Sequence, residues 1–115
     1  MENLIKLYED FLNEAELKGL TFTDFAKARL AGATKISDEA KKKGGPAMLT
    51  HQHFVVKLPH YKKAAKGKFN PEKAETELDK QIAKLNISLN QTQFQKTMGI
   101  IEVLGELLIR NRENS

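Results

Sequence analysis

The chain has no cysteine among its 115 residues, and no Asp or Glu anywhere in residues 40–71. The first absence excludes disulfide staples, thiolate nucleophiles and Cys-based zinc or iron–sulfur sites, and it fits a reducing compartment. Proline occurs three times and glycine seven, a composition that excludes fibrous and low-complexity chains. Long apolar runs are absent too. The most apolar stretch, residues 98–109, carries Glu102 and Glu106 and is too short to span a bilayer. Residues 1–10 lack the basic region and apolar core of a signal peptide. A soluble, cytoplasmic protein with no membrane partner is expected.

The absence of acid in residues 40–71 leaves a strongly cationic middle. The window holds eight lysines (Lys41, Lys42, Lys43, Lys57, Lys62, Lys63, Lys66, Lys68) and all three histidines (His51, His53, His60). Of 19 Lys and Arg, 11 lie elsewhere, against 15 acidic residues, so the window is +8 and the remainder −4. An anionic partner would bind there.

At this length one domain spanning residues 1–115 is expected, with a modest core. Leu4, Leu7 or Tyr8, Phe11 and Ala15 predict an amphipathic helix over residues 3–17, ended at Gly19. Thr21 or Thr23 can cap a second helix, with Phe22, Phe25, Arg29, Ala33, Ile36 and Ala40 as its inner line and Gly44-Gly45 as its stop. Pro46 opens the next segment. Ala47, His51, Phe54, Leu58 and Tyr61 fall near one helical face, so helix is favoured there over strand, with a break or kink at Pro59. One further turn is expected over residues 60–66, ended by Gly67. Asn70-Pro71-Glu72 starts another helix, whose inner stripe is Leu78, Ile82 and Leu85.

Ser88 and Gln91 fit a capping box opening a last helix over residues 89–110. Phe94, Met98, Ile101, Leu104 or Gly105, and Leu108 line one side, broadened by Ile100, Val103, Leu107 and Ile109. A helix this widely apolar is central to the core or shared across a homodimer interface over residues 94–109, where Gly99 and Gly105 permit close approach. The sum is an all-α fold: a compact single-domain bundle of four to six helices, with the basic segment between two helical pairs.

The stretch His53-Phe54 through Pro59-His60-Tyr61 resembles a short His, Leu or Phe, then Pro-x-Tyr pattern in a family of small helical domains of unknown function found in tailed phages. Residues 32–40 and 11–14 also look like small phage proteins. The usual acidic position of the pattern is Lys57 here, and its second Tyr is absent. The resemblance implies an all-α fold and a viral source, hence a host cytoplasm. It implies no activity.

The residues offer four kinds of site. His51, His53 and His60 are the candidate metal ligands. On a helix, however, a spacing of two puts His51 and His53 about 200° apart, where they cannot share an ion, and the competing assignment is one packed and two surface imidazoles. No Gly-x-Ser-x-Gly elbow or distinguished carboxylate pair marks an enzyme. Lys43-Gly44-Gly45-Pro46 is not a Walker loop, and a helix cap with a turn explains it. The basic window remains. Lys41, Lys42, Lys43, Lys57, His60, Lys62, Lys63, Lys66 and Lys68 form the candidate anion- or nucleic-acid-binding set, with Tyr61 as a stacking group and Phe69 interleaved. Arginine is confined to Arg29, Arg110 and Arg112, so direct guanine readout is not expected. The competing assignment is a solvated lysine face.

The leading expectation is a non-enzymatic protein that binds nucleic acid or an acidic protein surface and needs no cofactor. The alternatives are an interaction or homo-oligomeric module using the apolar last helix and, behind it, a His-dependent metal enzyme.

Overall fold

The computed structural model describes residues 19–114. The helix expected over residues 3–17 lies outside the described residues. Within them the chain forms five α-helices and one 3-10 turn: α1 Phe22–Lys43, the turn Gly45–Ala47, α2 Met48–Val55, α3 Leu58–Ala65, α4 Pro71–Lys84 and α5 Gln91–Glu113. The all-α class is as expected. No helix among the described residues is long and apolar enough to cross a membrane.

Each boundary has a local cause. Thr21 caps α1: its hydroxyl oxygen accepts the Asp24 N–H at 3.2 Å, and Asp24 sits in the first turn, where a negative charge complements the helix dipole. Gly44, at φ 63°, ends α1 and returns its N–H to the Ala40 carbonyl. The break between α2 and α3 falls where Pro59 has no N–H to offer the Val55 carbonyl. Lys57 instead closes a tighter bond to the Phe54 carbonyl, 3.0 Å, and Pro59 settles in the first turn of α3, where it is tolerated. Asn70 caps α4, accepting from the Lys73 N–H at 3.2 Å, ahead of Pro71.

The expected inner line of α1 is largely the buried one: Phe25, Arg29, Ala33, Ile36 and Ala40 are buried, joined by Ala26, Gly32 and Ser37. Three expectations are corrected, in α4, at the start of α5 and at Phe94. The α4 stripe is Ala74 and Gln81, with Leu78 half-buried, while Ile82 and Leu85 stay 46% and 39% exposed. This helix packs chiefly against α5, so only a narrow strip of it is covered. The capping box of α5 forms two residues later than expected. Asn90 accepts from the Gln93 N–H at 2.8 Å, and Gln93 Oε1 accepts from the Asn90 N–H at 3.0 Å. Residues 85–87 are held in turns at the end of α4 and cannot start the next helix.

The chain runs out along α1 and back along it through α2 and α3. His51 of α2 meets Ser37 in the second half of α1, and Phe69 beyond α3 meets Phe22 at its start, ring centroids 5.2 Å apart. Helix α5 runs opposite to α1. Gly99 lies against α2, Glu106 reaches Arg29, and Arg110 donates to the Leu20 carbonyl. Central α5 buries Val103, Leu104 and Leu107 against its neighbours. Phe94, expected on its inner line, is exposed.

Candidate functional site: a lysine-lined cleft

The basic window does not form one surface. A 22-residue helix is about 30 Å long. Residues 41–43 lie at the far end of α1, where they complement its C-terminal dipole. Lys62, Lys63, Lys66 and Lys68 lie at the end of α3 and just beyond it, the region that Phe69 ties to Phe22 at the opposite end of α1. The return of the chain along α1 separates the two clusters.

Two members of the expected set are internal. Lys57 is 2% exposed and Tyr61 is fully buried. The Lys57 ammonium lies 3.7 Å from Glu102 Oε1 and 4.9 Å from the centre of the Phe54 ring. Burial holds its pKa below the ordinary lysine value against the pull of Glu102 and Glu106. Tyr61 cannot stack on a base: its hydroxyl donates to Glu106 Oε1 at 2.8 Å, and the same oxygen accepts from Arg29 Nε at 2.9 Å. Both residues occupy a polar seam against α5, Lys57 from the turn between α2 and α3 and Tyr61 from α3 itself.

The histidines are distributed as well. His51 Nδ1 lies 2.9 Å from Ser37 Oγ, His53 Nε2 lies 2.9 Å from Glu102 Oε2, and His60 lines a cleft on another part of the surface. With α2 helical, His51 and His53 diverge as the spacing requires. Among the described residues no three His, Asp or Glu are grouped to hold a metal ion.

The cleft has a volume of about 470 Å³. Helix α3 contributes His60 and Lys63, the linker Lys68, Phe69 and Asn70, α4 Lys73, Ala74 and Glu77, and α5 Leu104. A glycine turn makes the convergence. Gly67 adopts φ 74°, donates to the Ala64 carbonyl at 3.0 Å, and lets the Lys68 N–H return to the Lys63 carbonyl at 3.0 Å. This left-handed helix end folds Lys68 back beside Lys63. The Asn70 cap and Pro71 then launch α4 so that its first turn brings in Lys73, and Glu77 follows one turn later on the same face.

Lys63, Lys68 and Lys73 outnumber the single acid Glu77, and among the described residues none of the three lysines is engaged in an ion pair. Burial and the neighbouring Lys63 hold His60 below its usual pKa, with Glu77 opposing, so its imidazole is neutral at pH 7. Exposed Lys62 and Lys66 lie beside the cleft on the same chain segment. Neutral His60 offers one donor and one acceptor, and Phe69, Ala74 and Leu104 give an apolar wall. The arrangement suits capture of an anion that carries an apolar or aromatic part.

Sequence reasoning missed Lys73 and Glu77, which lie beyond the acid-free window in an acid-rich helix. The available signal was the Asn70-Pro71 start, which fixes Lys73 in a first turn adjoining Lys68. No family model matches the chain, and no curated protein or solved structure matches it either.

Proposed function

We propose that this chain is a binding protein for an anionic partner, with single-stranded nucleic acid foremost, engaged through the α3–α4 cleft and the flanking Lys62 and Lys66. The observation that carries the reading is the convergence of Lys63, Lys68 and Lys73 on one cavity without ion-pair partners among the described residues. Lysine heads give phosphate contacts that carry little sequence information. A concave site with an apolar wall admits an unstacked base, which a duplex does not present. The role suits a small accessory protein of the viral source that the resemblance to phage domains implies.

The test is fluorescence anisotropy with labelled single- and double-stranded DNA and RNA across a salt series. Expected is single-strand binding whose logarithmic salt slope is about −0.7 per phosphate engaged, weakened and flattened by Lys63→Glu with Lys68→Glu. Absence of binding at low salt, or affinity unmoved by the two reversals, overturns the proposal.

A second reading has its own observation. Ile82, Leu85, Ile87 and Phe94 are exposed on both sides of the turn joining α4 to α5, and an apolar patch of this kind marks an association surface. Association through it persists or strengthens in high salt, the opposite of charge-driven binding.

A further inference from the structure

Resting on the nucleic-acid reading above, we propose that the α3–α4 cleft takes one nucleoside monophosphate unit, with its phosphate held by Lys63, Lys68 and Lys73, and that Glu77 selects bases bearing an exocyclic amino group.

Three features of the cleft lead there. Its volume of about 470 Å³ lies within the range of small-molecule sites and far exceeds the needs of a bare anion. Its apolar wall, chiefly the half-buried Phe69 with the small exposed edges of Ala74 and Leu104, gives nothing to a phosphate but offers a surface to a heterocycle. The ligand is therefore an anion joined to a flat, partly apolar group. The Phe22 ring packs against Phe69, tilted 46° at 5.2 Å, so the Phe69 ring is held in place and needs little ordering when a base arrives.

Glu77 supplies the selectivity. A carboxylate inside a phosphate site opposes the phosphate, so it is tolerated only where it meets a hydrogen-bond donor instead. Glu77 already accepts from Gln81 Nε2, at a long 3.4 Å, and a carboxylate has further lone pairs to give. Adenine N6, cytosine N4 and guanine N2 present amino donors, while uracil and thymine present a carbonyl oxygen where cytosine carries its amino group. A carboxylate facing that carbonyl finds no proton there and is left with the N3–H alone, so the latter pair is disfavoured.

The shared chemistry is the nucleoside monophosphate unit, supplied either by a free nucleotide or by a residue of a strand. The groups facing this unit are His60 and Lys63 from α3, Lys68 from the linker, Lys73 and Glu77 from α4, and uncharged Leu104 from α5. Neutral His60 completes the site as a donor to a phosphate oxygen.

Isothermal titration calorimetry on the full chain tests the assignment, with cytidine, adenosine and guanosine monophosphates compared with uridine monophosphate, adenosine and inorganic phosphate. Expected is binding of the three amino-base nucleotides about tenfold tighter than uridine monophosphate, with adenosine and inorganic phosphate each weaker. Lys73→Ala lowers affinity for nucleotides while leaving adenosine unchanged, and Glu77→Gln narrows the gap to uridine monophosphate. Circular dichroism melting establishes that both variants fold. Displacement of a labelled oligonucleotide by cytidine monophosphate assigns the pocket to a strand residue; binding without displacement assigns it to the free nucleotide. If oligonucleotides bind but no mononucleotide gives heat, the pocket assignment falls and the nucleic-acid reading stands. If neither binds, both fall. Equal affinity for cytidine and uridine monophosphates removes the role of Glu77.

Discussion

A side chain on Gly99 would run into the backbone carbonyl of His53. A Cβ built there overlaps that oxygen and comes within 2.6 Å of Val56 Cγ2, so α5 crosses α2 at a distance that only glycine permits. The close approach expected at a homodimer seam is used inside the chain. Gly99→Ala is expected to cost about 1–3 kcal/mol through overpacking. Gly105, with nothing within 4 Å of its virtual Cβ, is the matched control. There alanine removes the helix penalty of glycine and stabilises by about 0.5–1 kcal/mol. Urea denaturation of the two variants against the parent chain checks both signs.

Glu106 ties three helices with one oxygen. Its Oε1 accepts from Tyr61 of α3 and Arg29 of α1, and the Arg29 guanidinium lies 4.7 Å over the Phe25 ring. Arg29 Nη1 is buried without a hydrogen-bond partner, so the cation depends on this carboxylate. Glu106→Gln is expected to destabilise by about 1–3 kcal/mol, because it leaves a nearly buried cation without its counter-charge. Tyr61→Phe should cost about 1 kcal/mol by losing one bond of the pair. Thermal melts at neutral pH give both values, and an unaffected Glu106→Gln variant would contradict the role of the seam.

Stability should fall on the acid side through Glu102. Burial pushes its carboxyl up, but the His53 hydrogen bond and the Lys57 charge together outweigh burial, and the net pKa lies below the ordinary value of 4.5. A depressed carboxylate contributes stability that is complete above 4.5 and lost as pH falls through the lower folded-state value. Glu102→Gln should flatten that part of the stability–pH curve, modestly because the side chain is half exposed. Lys57 acts in the alkaline range with a slope of the same sign. Its folded-state pKa is below 10.5, so between those two values the unfolded chain binds more protons and stability rises with pH. Chemical denaturation from pH 3 to 10 would show both limbs.

The two lysine clusters should behave independently. They sit at opposite ends of α1, about 30 Å apart by helix length, and salt at 0.15 M screens exposed charges beyond about 8 Å. Replacing Lys41, Lys42 and Lys43 by glutamine is expected to leave oligonucleotide affinity within about twofold at that salt, whereas the same change at Lys63 and Lys68 lowers it at least tenfold. Anisotropy titrations at fixed ionic strength decide the matter, and equal losses from both sets would mean that the binding surface extends along α1.

Local signals in the sequence carried most of the helix boundaries. Thr21 before Asp24, Gly44 after three lysines, and Asn70 before Pro71 each act through bonds within a few residues, so they hold whatever the surroundings. The period of α1 likewise marked Arg29 as an inner residue. The same reasoning misjudged α4 and α5, because which stripe is buried depends on the neighbours a helix acquires. Among the described residues no partner covers the face that carries Ile82 and Leu85, and Asn90 rather than Ser88 caps α5.

The sequence by itself determined an all-α chain, most of its helix starts and stops, and a cationic middle free of acid. Only the tertiary structure decided what that charge does. Lysines close in sequence were divided between the two ends of α1, Lys57 was drawn into the core beside Glu102, and Lys73 and Glu77 joined a cleft from outside the basic window. Charge is a property of residues, but its convergence depends on helix direction and crossing, which distant contacts such as Gly99 against His53 and Arg29 with Glu106 fix.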